Sequence, residues 1–191
     1  NMETAYIKIF DRIGLSYRAI VGDAGAMGGS DSKEFSAPAA AGEDIIAYSD
    51  VTDYAANLEM AKDFYERQNP TTEAQELTLI DTPNEKTITE ISNFLSVEAT
   101  MIAKTIMFMA DDKLVAVVTS GDFEVNTVKV QNFLKVDTLE VAEENQVRDL
   151  LGAGFGSLGP VNLPEEVQLL VDERAADMVN FVAGANEDGK H

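Results

Sequence analysis

The stretch from Thr105 to Thr119, TIMFMADDKLVAVVT, decides the fold. Two apolar runs, Thr105 to Met109 and Leu114 to Thr119, flank Asp111-Asp112-Lys113, the pattern of two strands joined by a tight polar turn. Upstream, Thr87-Ile88-Thr89-Glu90 has the spacing of a capping box, in which hydroxyl and carboxylate satisfy free amides at a helix start. Ile88, Ile91, Phe94 and Leu95 then supply one apolar helical face. Downstream, Glu124 to Leu134 reads as a helix with Val125, Val128 and Leu134 inward. Glu143 to Leu151 reads as another, ending before Gly152, and Val167 to Val171 as a buried strand. This order of elements predicts an α/β (α+β) fold: a mixed, mostly antiparallel sheet or barrel-like core surrounded by helices.

The first third of the chain is less regular. Residues 2 to 13 place Tyr6, Ile9, Phe10 and Ile13 on one helical face, with Gly14 as the stop. Ser16 to Val21 and Ile45 to Tyr48 suggest strands, and the Gly-rich run Gly22 to Ser32 a loop. Tyr54 to Phe64 is expected to be a helix. Gln68 to Glu76, polar with one proline, is the linker candidate.

Composition narrows the chemistry. Of 191 residues, 45% are hydrophobic and 25% charged, so the chain can bury a core. There is no cysteine and a single histidine, His191, which removes disulfides, thiolate nucleophiles and any zinc site built from His and Cys. No metal is therefore expected. No apolar run approaches the roughly 20 residues of a membrane span, and residues 1 to 14 lack the continuous apolar centre of a signal peptide. A cytoplasmic protein with no membrane partner is the expectation. The net charge of −20 opposes general nucleic-acid binding, because phosphates seek clustered Lys and Arg. It leaves room for a local positive pocket and predicts weak, salt-sensitive RNA binding.

Few residues stand out as chemistry. Gly28-Gly29-Ser30 lacks the Lys-Ser/Thr of a phosphate loop. Gly156-Ser157-Leu158-Gly159-Pro160 is either a plain turn or a backbone cradle for an anion or developing oxyanion. Lys104, at the entrance to a core strand, either snorkels to the surface or aims its ammonium into a pocket. Asp172, after the strand at Val167 to Val171, is either a solvated strand end or a ligand-binding carboxylate. His191, at the last position, is by itself more readily a frayed residue than a site. A serine triad has only this histidine to draw on, and a carboxylate pair cannot be singled out among 34 acids.

Longer pieces carry a resemblance. Tyr6 to Phe35, YIKIFDRIGLSYRAIVGDAGAMGGSDSKEF, resembles the segment after motif 2 of bacterial prolyl-tRNA synthetases. In that family the loop reads GGSxSHEF, and Lys33 stands here in place of its histidine. IIAYSDVTDYAANLE, Ile45 to Glu59, is similar to the crossing from catalytic core to inserted domain. Asp81-Thr82-Pro83, AKTIMF around Lys104, SGDFEVNTVKV from Ser120, GSLGP from Gly156, VDERAADM from Val171 and VAGANEDGKH from Val182 resemble the YbaK/prolyl-tRNA-synthetase-associated editing family.

The resemblance implies two domains: residues 1–65 as part of a class II synthetase catalytic core, and residues 66–191 as the inserted editing domain, truncated at its far end. It implies hydrolysis of mischarged Ala-tRNA(Pro), with Lys104, Gly156, Gly159 and Pro160 at the reacting ester and Thr82, Asp172 and His191 lining the amino-acid pocket. The partner is then the 3′ end of tRNA(Pro). Editing would need no cofactor, while ATP and Mg would serve proline activation in the full-length, homodimeric enzyme. A free-standing trans-editing deacylase and a non-catalytic RNA-binding or structural insert are the alternatives.

Overall fold

The computed structural model describes residues 2–22 and 32–191, which divide into two units, residues 1–64 and residues 65–191. In the second unit the hairpin forms as the apolar runs require. Strand β5, Ile102–Ala110, pairs antiparallel with β6, Lys113–Ser120, from Ala103 opposite Ser120 to Ala110 opposite Lys113. Asp111 makes the turn at φ 49°, a region that Asp tolerates better than most residues. Its carboxylate accepts hydrogen bonds from the Asp137 and Thr138 amides and the Thr138 hydroxyl. This leads the chain into β7, Leu139–Val141, antiparallel to one end of β5. Strand β8, Gln168–Val171, adds parallel to β6, and β9, Val182–Ala183, adds parallel to the other end of β5.

Both faces of this mixed sheet are covered, which is why β6 is nearly continuously apolar. Phe108, Ala110, Val115 and Val117 pack against Val130 and Leu134 of α3, Thr127–Leu134. On the opposite face, Met107 and Ala116 pack against Val147 of α4, Glu144–Leu151, and against Ala153 and Leu158 beyond it. Helix α2, Ile88–Leu95, starts on the capping box: the Glu90 amide donates to Thr87 Oγ1, and the Thr87 amide donates to the Glu90 carboxylate. A short α5, Glu173–Ala176, follows β8.

Three expectations change in this unit. Helix α3 begins three residues later than the apolar pattern suggests, because Asn126 caps it by accepting from the Lys129 amide. Strand β8 is an edge strand with Leu169 and Val171 exposed, not a buried one. The segment Gln68 to Glu76 is no free linker. The Gln68 amide and Arg67 side chain bond the Asp177 carboxylate, the Gln75 amide donates to Asn180, and Asn180 donates to the Glu73 carbonyl.

The first unit holds α1, Met2–Ile13, and a four-stranded sheet in the order β2-β1-β4-β3. Its strands are β1, Arg18–Val21; β2, Lys33–Ser36; β3, Ile46–Tyr48; and β4, Ala55–Asn57. Tyr6 and Phe10 pack their rings on Phe35, and Phe10 also meets Tyr17, while Ile9 and Ile13 stay exposed. The helix expected over Tyr54 to Phe64 is absent. Ala55 and Ala56 favour helix by propensity, but they are buried between β1 and β3, so tertiary pairing wins. The Gly28-Gly29-Ser30 turn and most of the Gly22 to Ser32 loop lie outside the described residues. Lys33, in β2, pairs with Glu3 at 2.6 Å.

Candidate functional site

A cleft of about 220 Å³ opens where the start of β5 meets α2 and the 156–160 bend. Lys104 projects from β5 into it with its side chain only 16% exposed, and its Nζ lies 3.1 Å from the Glu124 carboxylate, which is itself almost fully in solvent. Ile88 and Ile91 of α2 and Ile102 of β5 make the apolar wall. Gly156 and Leu158 line it from the bend, and His191 closes one side. Among the described residues no Asp or Glu lines this cleft, in a chain of net charge −20, and Glu124 meets Lys104 from outside the lining.

The bend is shaped by three close approaches. Gly156 sits at φ 91°, and a Cβ there would lie 2.7 Å from the Lys86 Cβ, so glycine is required on both counts. Gly159 and Gly184 face each other with bare backbones, and a Cβ on Gly159 would overlap the Gly184 carbonyl. Asn186 then locks the bend: its side chain accepts from the Gly159 amide at 2.9 Å and donates to the Gly159 and Val161 carbonyls at 3.1 and 2.5 Å. The Ser157 amide donates to the Gly154 carbonyl, and Pro160 has no amide hydrogen. Among the described residues, this leaves the Gly156 and Leu158 amides without an acceptor.

The last residues are not frayed. Ile80 and His191 exchange both backbone hydrogen bonds, at 2.7 and 3.0 Å, and the Thr82 amide donates to the Gly189 carbonyl at 2.7 Å. Thr82 is fully buried, His191 is 8% exposed, and Thr82 Oγ1 lies 2.6 Å from His191 Nδ1. Burial pushes the imidazole below its ordinary pKa, with the nearby Glu85 charge pulling part of the way back.

The structure thus gathers Lys104, Gly156 and His191 around one cleft, with Thr82 holding His191. It places Gly159 and Pro160 in the frame of the bend, not its lining. Asp172 stands apart: its carboxylate accepts from the Arg174 amide as the cap of α5, and it is exposed. Sequence reading passed over Lys86, Gly184 and Asn186. Gly184 and Asn186 lie inside the VAGANEDGKH piece, but the signal for their role is a packing partner 25 residues or so away, which spacing does not display. Among the described residues there is no group of three His, Cys, Asp or Glu side chains able to hold a metal, and no helix long and apolar enough to cross a membrane.

The cleft thus brings together a sheltered ammonium, two backbone amides without acceptors among the described residues and a buried imidazole. The aminoacyl-tRNA editing domain model matches residues 82–191, and the chain belongs to that family. Over its full length it is 80% identical to the proline–tRNA ligase of Leuconostoc citreum (strain KM20) and 50% identical to that of Lactiplantibacillus plantarum, spanning 34% of each. The chain therefore covers about a third of the length of these relatives, including the editing domain. Among solved structures, hypothetical protein APE2540 shares the fold at a TM-score of 0.53 and 24% identity, over 59% of this chain and 76% of that one.

Proposed function

We propose that the second unit hydrolyses the ester of mischarged Ala-tRNA(Pro), as the editing part of a proline–tRNA ligase to whose class II catalytic core the first unit belongs. The observation that carries this reading is the one cleft shared by Lys104, Gly156, Leu158 and His191, with no Asp or Glu among its described lining residues. Its volume lies below the roughly 300–1,000 Å³ of clefts that enclose drug-sized ligands, which suits an aminoacyl group alone. Alanine needs such a second site because the primary proline site penalises a missing methylene by only ~1–3 kcal/mol. A cavity that takes the alanine methyl against Ile88 and Ile91 and refuses the proline ring completes a double sieve.

In the reaction, a water oxygen adds to the ester carbonyl carbon, and the bond from that carbon to the ribose oxygen breaks. The amides of Gly156 and Leu158 are the donors free to meet the developing oxyanion. Lys104 engages the terminal ribose or its phosphate, an interaction that must displace Glu124. The neutral His191, held by Thr82, shapes the pocket. The ribose hydroxyl next to the ester relays the proton to the leaving oxygen, giving free alanine and uncharged tRNA. Asp172 is assigned to the α5 cap and not to substrate. Hydrolysis by this route calls on no metal or nucleotide cofactor; ATP and Mg belong to proline activation by the longer enzyme.

The test is release of alanine from Ala-tRNA(Pro) and of proline from Pro-tRNA(Pro) by this chain. Alanine release is expected to exceed proline release at least 100-fold. Lys104→Ala is expected to lower the rate at least tenfold, and an unchanged rate would remove Lys104 from the mechanism.

A further inference from the structure

The reaction proposed above leaves one charge of its substrate without a partner. An aminoacyl ester carries an α-ammonium beside the bond that breaks, and the small cleft offers it no Asp or Glu among its described lining residues. Lys104 already stands there as a cation, and the buried imidazole of His191 supplies no negative charge. A cation brought into such a place needs an anion close by, since it is otherwise both repelled and poorly solvated.

Glu124 is the carboxylate placed to supply it. Its Oε1 lies 3.1 Å from Lys104 Nζ, while its own side chain is 90% exposed and can turn without disturbing the core. The backbone that carries it is, in contrast, fixed. The Gly121 amide donates at 2.7 Å to the carbonyl of Ile102, a residue of the cleft wall, and a Cβ on Gly121 would collide with the Ala99 carbonyl. The Phe123 amide donates to the Ser120 carbonyl at 3.0 Å, and the Arg174 guanidinium lies over the Phe123 ring, 5.0 Å from its centroid. Asn126 then caps α3. A carboxylate that moves on a fixed loop can change partners without a change of fold.

The other acids of this region are committed or lie elsewhere. The Glu90 carboxylate accepts from the Lys86 and Thr87 amides, that of Asp172 from the Arg174 amide, and that of Asp122 from the Ser120 hydroxyl. Asp81, Glu85 and Asp188 line a second cleft, of about 540 Å³, across the 155–158 bend. The bend deals its residues alternately, Phe155 and Ser157 to that larger cleft, Gly156 and Leu158 to the smaller, and Lys86 lines both.

We propose that Glu124 binds the α-ammonium of the aminoacyl ester, making the cleft selective for acyl groups that carry a charged amine. This rests on the esterase reading above. As Lys104 turns to the ribose or its phosphate, Glu124 passes to the ammonium, so one ion pair within the protein is exchanged for two with the substrate. Glu124 accepts hydrogen bonds throughout, and no proton moves to it.

The experiment compares release of the acyl group by this chain from Ala-tRNA(Pro) and from L-lactyl-tRNA(Pro), with spontaneous hydrolysis subtracted. In the lactyl ester a hydroxyl replaces the amine, and the methyl and the ester are unchanged. The ratio of the two kcat/KM values isolates the amine, because Lys104 meets the same tRNA in both. A site that pairs with a polar group of its substrate discriminates strongly against the analogue lacking it. Glu124→Gln is expected to lower the ratio at least tenfold, slowing alanine release while lactate release holds or rises. Glu124→Asp is expected to keep the ratio within threefold of wild type, and Glu85→Gln, across the bend, to leave it unchanged. Because Glu124 is exposed, its variants should keep the wild-type urea midpoint. Equal changes with both substrates would overturn the proposal and leave Glu124 a counter-ion of Lys104 alone. So would a ratio unmoved by Glu124→Gln, or one that falls with Glu85→Gln instead. A wild-type chain that releases neither acyl group faster than buffer would sink the esterase reading, and the proposal with it.

Discussion

At the scale of single residues, His191 links the site to pH. Burial disfavours its imidazolium, so its folded pKa lies below the ordinary 6.5. Around that value the unfolded chain binds more protons than the folded one, and stability rises with pH there. The contribution is fully present above the ordinary value and is lost as pH falls through it toward the folded pKa. The unfolding free energy of the protein, less that of His191→Gln, should therefore increase from about pH 5.5 to about pH 7.5 in urea titrations. A difference that stays flat would mean that the imidazole is as well solvated as in the unfolded chain. Thr105, beside Lys104, supplies a second test. Its hydroxyl is shielded from water and has no hydrogen-bond partner among the described residues. Removing an unsatisfied buried hydroxyl while keeping the branched shape relieves a desolvation cost, so Thr105→Val should leave stability unchanged or raise it by up to about 1 kcal/mol. A lower urea midpoint would reveal a partner for that oxygen.

At the scale of elements, the bend depends on Gly159 pressing against Gly184. Alanine at 159 must push the two backbones apart, loosening the Asn186 clamp as well. Overpacking of this kind costs about 1–3 kcal/mol. Gly159→Ala should show that loss in denaturant melts, together with a fall in deacylation; wild-type stability would mean the two strands of backbone have room to part. The elements also show what the residues alone could reveal. The β5–β6 hairpin and the start of α2 were legible because their signals are local: alternation across a polar turn, and a Thr-x-x-Glu box whose partners sit three residues apart. Strand β4 was not, since Ala55-Ala56-Asn57 says nothing of β1 and β3, which bury it. The candidate cleft was half legible. Lys104, Gly156 and His191 could be named, but their meeting depends on residues 80–82 pairing with 189–191, a contact across more than a hundred positions. Asp172 stayed open between two readings for the same reason: a carboxylate after a strand reads alike whether it faces a ligand or caps the next helix.

At the scale of the molecule, the two units differ in what holds them. Residues 65–191 enclose the sheet with apolar clusters on both faces. In residues 1–64, the buried apolar side chains described are Ile20, Ala55 and Ala56, too little to offset the chain entropy of ordering that length. Produced separately, 65–191 should unfold cooperatively in urea and keep most of the Ala-tRNA(Pro) deacylation, whereas 1–64 should show no cooperative transition. A fragment 65–191 without a sharp transition would show that the second unit borrows its stability.

The alternating lining of the 155–158 bend has a consequence for how this protein could change over time. One strand of backbone serves as a party wall, so space gained on one side is taken from the other. A variant that widened the smaller cleft would shift Phe155 as well, and would reshape the larger cleft in the same stroke. The two clefts are therefore not free to drift independently; a change in one would have to be matched by a compensating change on the far side of that wall, with Lys86 and Phe155 the first places to look for it.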